Sequence, residues 1–128
     1  EVEGGVRFAS VQATTPEMFI GPNLARFEAV RDAVKAGFTY GSDCYGYGLL
    51  SMGFVDVVCE ADMKPWDYMA LVPVIVGAGG CATDWGGEAL TLEMEGGEVR
   101  KRGGPNEGTI LASGSAALHS EVLGLLNQ

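Results

Sequence analysis

Positive charge is scarce in this sequence: 8 Lys and Arg stand against 17 Asp and Glu, a formal net charge of −9. Nucleic acid and anionic membrane surfaces both reward Lys and Arg, so neither is an expected partner. Cysteine is sparse as well. The three residues Cys44, Cys59 and Cys81 are odd in number and lack metal-ligand spacing, which disfavours a disulfide framework and a zinc site. Reduced thiols of a cytoplasmic protein are the expectation. Long apolar runs are missing too: the longest is interrupted by Asp67 and Pro73, and no charged segment leads into an apolar run and a cleavage site. Neither membrane spanning nor secretion is indicated. There is a single histidine, His119, with no Cys, His or acid cluster near it in sequence, so it reads as a surface residue of a helix's polar side. No internal repeat or low-complexity tail occurs.

What the chain does have is enough apolar content for one core: 47% of 128 residues, one domain's length, taken as a single domain over residues 1–128. Val6 to Thr14 alternates loosely and predicts a strand, ended by Pro16 and Gly21-Pro22. Leu24, Phe27, Val30 and Val34 recur at helical spacing, with Asn23 as N-cap and Gly37 as stop. Phe38 to Tyr40 is a short strand, Cys44 to Met52 a helix, and Phe54 to Cys59 a strand. Gly46 and Gly48 suggest that this helix packs tightly on a neighbour. A buried helix is expected from Pro65 to Gly77, then strands at Cys81 to Asp84 and Thr109 to Ser113. Between those two, Leu90 to Met94 reads as a short strand in an exposed excursion that includes the charged stretch Glu95 to Glu107. Leu118, Val122, Leu125 and Leu126 line one face of a closing helix that Ser115 can cap. Such alternation implies an α/β layered sandwich with a mixed, largely parallel sheet flanked by helices.

Carboxylates gather where these strands meet helices. Asp67 follows Pro65, a residue suited to the first helical turn, and so sits near a positive helix end. Dipole compensation is its commonest role, and a ligand role is the alternative. Asp43 follows a Gly-Ser turn and opens a helix, where capping is a frequent use of Asp. Glu60 stands at a strand end, either as a solvated carboxylate or as a ligand contact. Asp62 and Lys64 can pair, Asp84 reads as a loop cap, and Asp56 and Glu88 as solvated faces. Tyr45, Tyr47, Trp66 and Tyr68 read as core or interface rather than as stacking platforms.

The run Lys64-Pro-Trp-Asp67, followed by Gly77-Ala-Gly-Gly80 and Thr83-Asp84, resembles the C-terminal signature of the inositol monophosphatase superfamily. Two further blocks, Ala13-Thr-Thr-Pro-Glu-Met-Phe19 and Gly41-Ser-Asp-Cys-Tyr-Gly-Tyr-Gly48, resemble the branch that hydrolyses histidinol phosphate. The likeness runs from about Ser10 to Leu126, and Gly-Ser-Asp with Gly46 between two tyrosines departs mildly from the commoner Gly-Gly-Asp and Tyr-Ala-Tyr forms.

The resemblance implies that Asp67 is a Mg²⁺ ligand, that Glu60 contacts the organic part of a phosphorylated small-molecule substrate, and that Asp43, with Gly41, Ser42 and Cys44 of its block, selects a substrate bearing a cationic amine. It also implies what these 128 residues do not contain: the Asp-Pro-(Ile/Leu)-Asp-Gly-Thr motif by which an N-terminal half supplies further metal ligands. The expectation is therefore a C-terminal half of a Mg²⁺-dependent phosphatase of histidine biosynthesis, inactive or nearly so by itself. Its partner would be the missing half, or a second copy in a homo-oligomer formed through exposed apolar surface. The alternatives are half of an inositol or sugar monophosphatase, and a non-catalytic binding module from a split or degenerate family member.

Overall fold

Strands too short to stand alone are joined here into one sheet by long-range pairing. The computed structural model describes residues 2–99 and 103–128. In chain order it has β1 (Val11–Ala13), α1 (Pro22–Ala33), β2 (Phe38–Tyr40), α2 (Asp43–Ser51), β3 (Val57–Glu60), α3 (Pro65–Tyr68), α4 (Val72–Gly77), β4 (Cys81–Thr83), β5 (Met94–Glu95), β6 (Glu98–Val99), β7 (Ile110–Ser113) and α5 (Ala116–Leu126). Five strands form a mixed sheet of order β2-β1-β3-β7-β4, and β5 and β6 form a separate hairpin. β1 is parallel to β2 and to β3, while β7 is antiparallel to β3 and β4. The sheet is thus mixed, as the alternating pattern implies.

Because strand side chains alternate between faces, β3 divides the core. Val57 and Cys59 join Val11, Phe27, Trp85, Leu118 and Val122 on the face covered by α1 and α5. Val58 joins Tyr47, Leu50 and Ile75 on the face covered by α2 and α4. Ser115 caps α5, its hydroxyl accepting the Leu118 N–H at 3.3 Å, and Leu118, Val122 and Leu126 are buried as their spacing predicts.

Several expectations fail for local reasons. Val6 to Phe8 is not strand: Gly4 and Gly5 both take positive φ, and Gly5–Phe8 closes as a 3₁₀ turn. α1 is capped by Gly21, not Asn23, since Pro22 with its preset φ takes the first helical position. The helix ends at Ala33 rather than running to Gly37, and Leu24 is left exposed. Phe54 is 72% exposed, and the strand starts only at Val57. Asp56 is not a solvated face: its Oδ2 accepts both the backbone N–H and the hydroxyl of Ser10 at 2.8 Å, which fastens β3 to the start of β1.

The helix expected over Pro65–Gly77 is two short ones. Pro73 lies in the first turn of α4, where its lacking N–H ends any continuous ladder from α3. Nor is this segment buried on most sides: Ile75 is inside, whereas Trp66 is 77% exposed and Val74 and Val76 are open to solvent. The excursion pairs Met94–Glu95 with Glu98–Val99 rather than forming a strand over Leu90 to Met94, and its positions 100–102 lie outside the described residues. Among the described residues no helix is long and apolar enough to cross a membrane.

His119 is likewise inside, only 6% exposed. Thr83 Oγ1 donates to the Asp84 carbonyl at 2.7 Å and so accepts from His119 Nε2 at 2.9 Å; His119 Nδ1 then accepts from Ser113 Oγ at 3.1 Å. The ring is fixed as the neutral Nε2–H form and joins α5 to β4 and β7. Burial holds its pKa below the ordinary value near 6.5. The unfolded chain binds that proton more readily, so the stability this ring contributes is present above about pH 6.5 and is lost as pH falls through the folded-state value. His119→Gln should cost about 1–3 kcal/mol at pH 7.5, where a partner hydroxyl loses its mate. The gap between wild type and variant should then narrow toward pH 5 in urea denaturation; a gap independent of pH would contradict this account.

Candidate functional site

Strands β2, β1 and β3 are mutually parallel, so their carboxyl ends share one edge of the sheet, the edge outside which open α/β sheets place ligands. Three segments leave from it: Thr14-Thr15 after β1, Gly41-Ser42-Asp43 after β2, and Glu60-Ala61-Asp62 after β3. They are held together by backbone: Gly41 N–H donates to the carbonyls of Thr14 at 2.8 Å and Ala13 at 3.2 Å.

Gly41, at φ +92°, turns the chain in a conformation that L side chains avoid. Ser42 is the N-cap of α2, and Asp43 is its first residue, exposed and itself at φ +42°. Asp43 therefore is not the cap; a non-Gly residue held in the left-handed region is uncommon and marks a position fixed by its surroundings. Cys44 is an exposed free thiol. The next turn of α2 approaches β1 closely: a Cβ on Gly46 would lie 2.7 Å from Ser42 Oγ and 3.0 Å from Gln12 Oε1, so this glycine is required by packing, whereas nothing lies within 4 Å of a Cβ on Gly48. Ser42 Oγ and Gln12 Oε1 are buried without a hydrogen-bond partner among the described residues.

Glu60 is not the solvated strand-end carboxylate that its position allows. It is 0% exposed, and its two oxygens accept from two hydroxyls, Oε1 from Thr14 Oγ1 and Oε2 from Tyr47 Oη, each at 2.5 Å. Burial raises its pKa, opposed by the Thr14 and Tyr47 hydroxyls and the Thr14 backbone, while the charge of Asp43 pushes it further up. Burial and the neighbouring Glu60 charge hold the Tyr47 phenol well above its ordinary value, with Asp67 adding in the same sense. Asp43, Glu60, Tyr47 and Asp67 thus share one electrostatic neighbourhood.

Thr14 and Tyr47 had no chemical role in the sequence pattern. Tyr47 lies four residues after Asp43, one helical turn on and turned inward; Thr14 lies within the Ala13–Phe19 block at the end of β1.

Asp67 is exposed in the first turn of α3, and its Oδ2 accepts the Lys64 backbone N–H at 2.8 Å. Asp62 pairs with Lys64 Nζ at 3.2 Å, as expected. Asp84 caps its loop, Oδ1 accepting from Gly86 and Glu88 N–H at 2.8 and 2.9 Å. Mg²⁺ demands near-octahedral oxygen ligation. Asp67 offers one free oxygen, Glu60 none, and among the described residues no three His, Cys, Asp or Glu are placed to hold a metal. These residues do not by themselves fit a complete metal site.

Residues 3–121 match the Inositol monophosphatase family. The chain belongs to that family. Relatives of this inositol monophosphatase family chain include the Bifunctional phosphatase IMPL2, chloroplastic, of Arabidopsis thaliana, 40% identical over 115 residues that cover 90% of this chain and 32% of that protein. The Histidinol-phosphatase of Mycobacterium tuberculosis is 34% identical over 102 residues, 80% of this chain and 33% of that protein. The solved structure of an inositol monophosphatase from Zymomonas mobilis superposes with a TM-score of 0.80 at 31% identity, over 97% of this chain and 44% of that one. The chain therefore spans about a third of the length of these curated relatives.

Proposed function

We propose that this chain is the C-terminal, substrate-selecting portion of a Mg²⁺-dependent phosphomonoesterase whose substrate is histidinol phosphate. The observation that carries the reading is the pair of carboxylates on the parallel strand ends that flank β1: Asp43, exposed at the start of α2, and Glu60, buried at the end of β3, where the charge of Asp43 is felt. Glu60 is already met by the Thr14 and Tyr47 hydroxyls, so Asp43 is the carboxylate open to a substrate, with Glu60 adding to the acidic character of this edge. A substrate ammonium matches that character, and charge-assisted hydrogen bonds are about twice as strong as neutral ones. A neutral polyol has no use for the pair. The two histidinol-directed blocks and the likeness to the Histidinol-phosphatase of Mycobacterium tuberculosis support the same choice over an inositol or sugar phosphate.

Asp67 is the proposed contribution to the metal site, one oxygen ligand among carboxylates that these 128 residues do not include. Three unpaired thiols support a reducing compartment, for which the cytoplasm is proposed. A second reading, a non-catalytic binding module, draws on the incomplete ligand set.

Asp43→Asn separates these readings. In an enzyme completed with the complementary half of the fold, the substitution should raise KM for histidinol phosphate by the equivalent of about 1–3 kcal/mol and leave a neutral phosphomonoester nearly unchanged. Asp67→Asn should instead depress turnover of every substrate alike. If Asp43→Asn weakens all substrates equally, Asp43 serves only the helix start and the histidinol assignment fails.

A further inference from the structure

The helices α2 and α4 lie side by side on one face of the sheet, where Tyr47, Leu50 and Ile75 turn inward to the core. Their outward sides are apolar as well. Tyr45, Met52 and Phe54 on and just after α2, with Trp66, Val74 and Val76 on α3 and α4, are all exposed. Gly48 sits between Tyr45 and Met52 with open space beside it, a Cβ there meeting no atom within 4 Å. No charged side chain occurs from Cys44 to Val55 or from Tyr68 to Thr83. The opposite layer differs, for α1 alone carries Arg26, Glu28, Arg31 and Asp32. A helix that is apolar all round is one covered all round, and a contiguous exposed apolar patch marks an interaction surface.

We propose that the outward side of the α2–α4 layer is the docking surface for the portion of the phosphatase fold that these 128 residues lack, and that this partner meets it with an apolar face of its own. The assignment rests on the reading of this chain as one portion of a larger enzyme. The chain spans about a third of its curated relatives, so most of such a protein must pack against it somewhere, and this layer offers a surface with no charge to desolvate. Position argues the same way. Asp43 opens α2 and Asp67 lies in α3, so a body seated on this layer borders the sheet edge where the exposed carboxylates stand.

Co-expression with a tagged remainder of the Bifunctional phosphatase IMPL2 of Arabidopsis thaliana, that protein without the 115 residues this chain matches, tests the surface. The wild-type chain should copurify with it. Met52→Lys and Val74→Lys should each lower the amount retained about tenfold or more, since a buried unpaired ammonium is costly. Their urea midpoints should stay at the wild-type value, because both positions are open to solvent in the chain alone. Leu24→Lys, at an exposed leucine of α1, should change neither retention nor stability. Retention that survives Met52→Lys and Val74→Lys overturns the choice of face, whether or not Leu24→Lys lowers it, and leaves the reading of this chain as one portion of a larger enzyme standing. A dimer of the lone chain in sedimentation that the two α2–α4 variants dissolve and that the IMPL2 remainder does not displace makes a second copy the occupant and overturns the proposal. No copurification of the wild type overturns it as well, and the larger reading is then judged by phosphate release from the lone chain.

Discussion

Trp85→Ala should destabilise this chain by about 3–5 kcal/mol, the range found when a large buried aromatic is truncated. Trp85 is 0% exposed, just past β4, where it closes the core between α1, β7 and α5. Its indole Nε1–H donates to the Ile110 carbonyl at 3.1 Å, and its backbone N–H donates to Thr109 Oγ1 at 3.0 Å. Its ring lies 6.1 Å from Phe19, which stacks on Phe27, and the Arg26 guanidinium sits 5.1 Å over it. Arg26 in turn donates to the carbonyls of Leu126 and Trp85 and to Asn106 Oδ1. Truncation therefore leaves a cavity, an orphaned carbonyl on β7 and an arginine without its platform. Trp85→Phe keeps most of the volume and loses the N–H, and should cost about 1–3 kcal/mol. Urea denaturation with an unchanged m-value measures both, and a loss below about 1 kcal/mol for the alanine variant would sink this picture of the core.

The parts of the fold legible in the sequence are those where local chemistry and tertiary packing agree. The closing helix α5 is one: Leu118, Val122 and Leu126 repeat at helical spacing, Ser115 caps them, and all three leucine and valine side chains are buried. Gly46 is another, since a glycine inside a helix signals a close neighbour, here Gln12 and Ser42. The illegible parts depend on partners distant in sequence. Asp56 looks like a solvated acid until Ser10 pairs with it, and His119 looks like a surface histidine until β4 and β7 bring Thr83 and Ser113 to its two nitrogens. Glu60 shows the same limit at the site itself. Its position at a strand end is plain in the sequence, but its enclosure by Thr14 and Tyr47, 46 and 13 residues away, arises only when β1, α2 and β3 assemble. The apolar run after Pro65 misleads in the opposite sense, because Pro73 splits it and Trp66, Val74 and Val76 face outward.

The second large effect concerns chemistry. A magnesium site able to serve a phosphoryl group needs several protein carboxylates. At the edge described above, Glu60 is spent on two hydroxyls, Asp62 on Lys64, and Asp67 has one oxygen free. Asp43 stands exposed but is proposed to face the substrate's amine. Exposed carboxylates that are not placed together are weak ligands for a cation that parts with its waters reluctantly, and among the described residues no three acids are so placed. The polypeptide of these 128 residues should accordingly bind Mg²⁺ only weakly in calorimetry, and Asp67→Asn should remove what little heat remains.

Phosphate release from histidinol phosphate in the presence of Mg²⁺ tests the central claim most directly, measured first on the 128-residue chain alone and then with the complementary half of the fold supplied. The account predicts background hydrolysis in the first case, and in the second a turnover that prefers histidinol phosphate over inositol phosphate and disappears with Asp67→Asn. Mg²⁺-dependent turnover by the 128-residue chain alone would contradict it, for then these residues would hold a complete site.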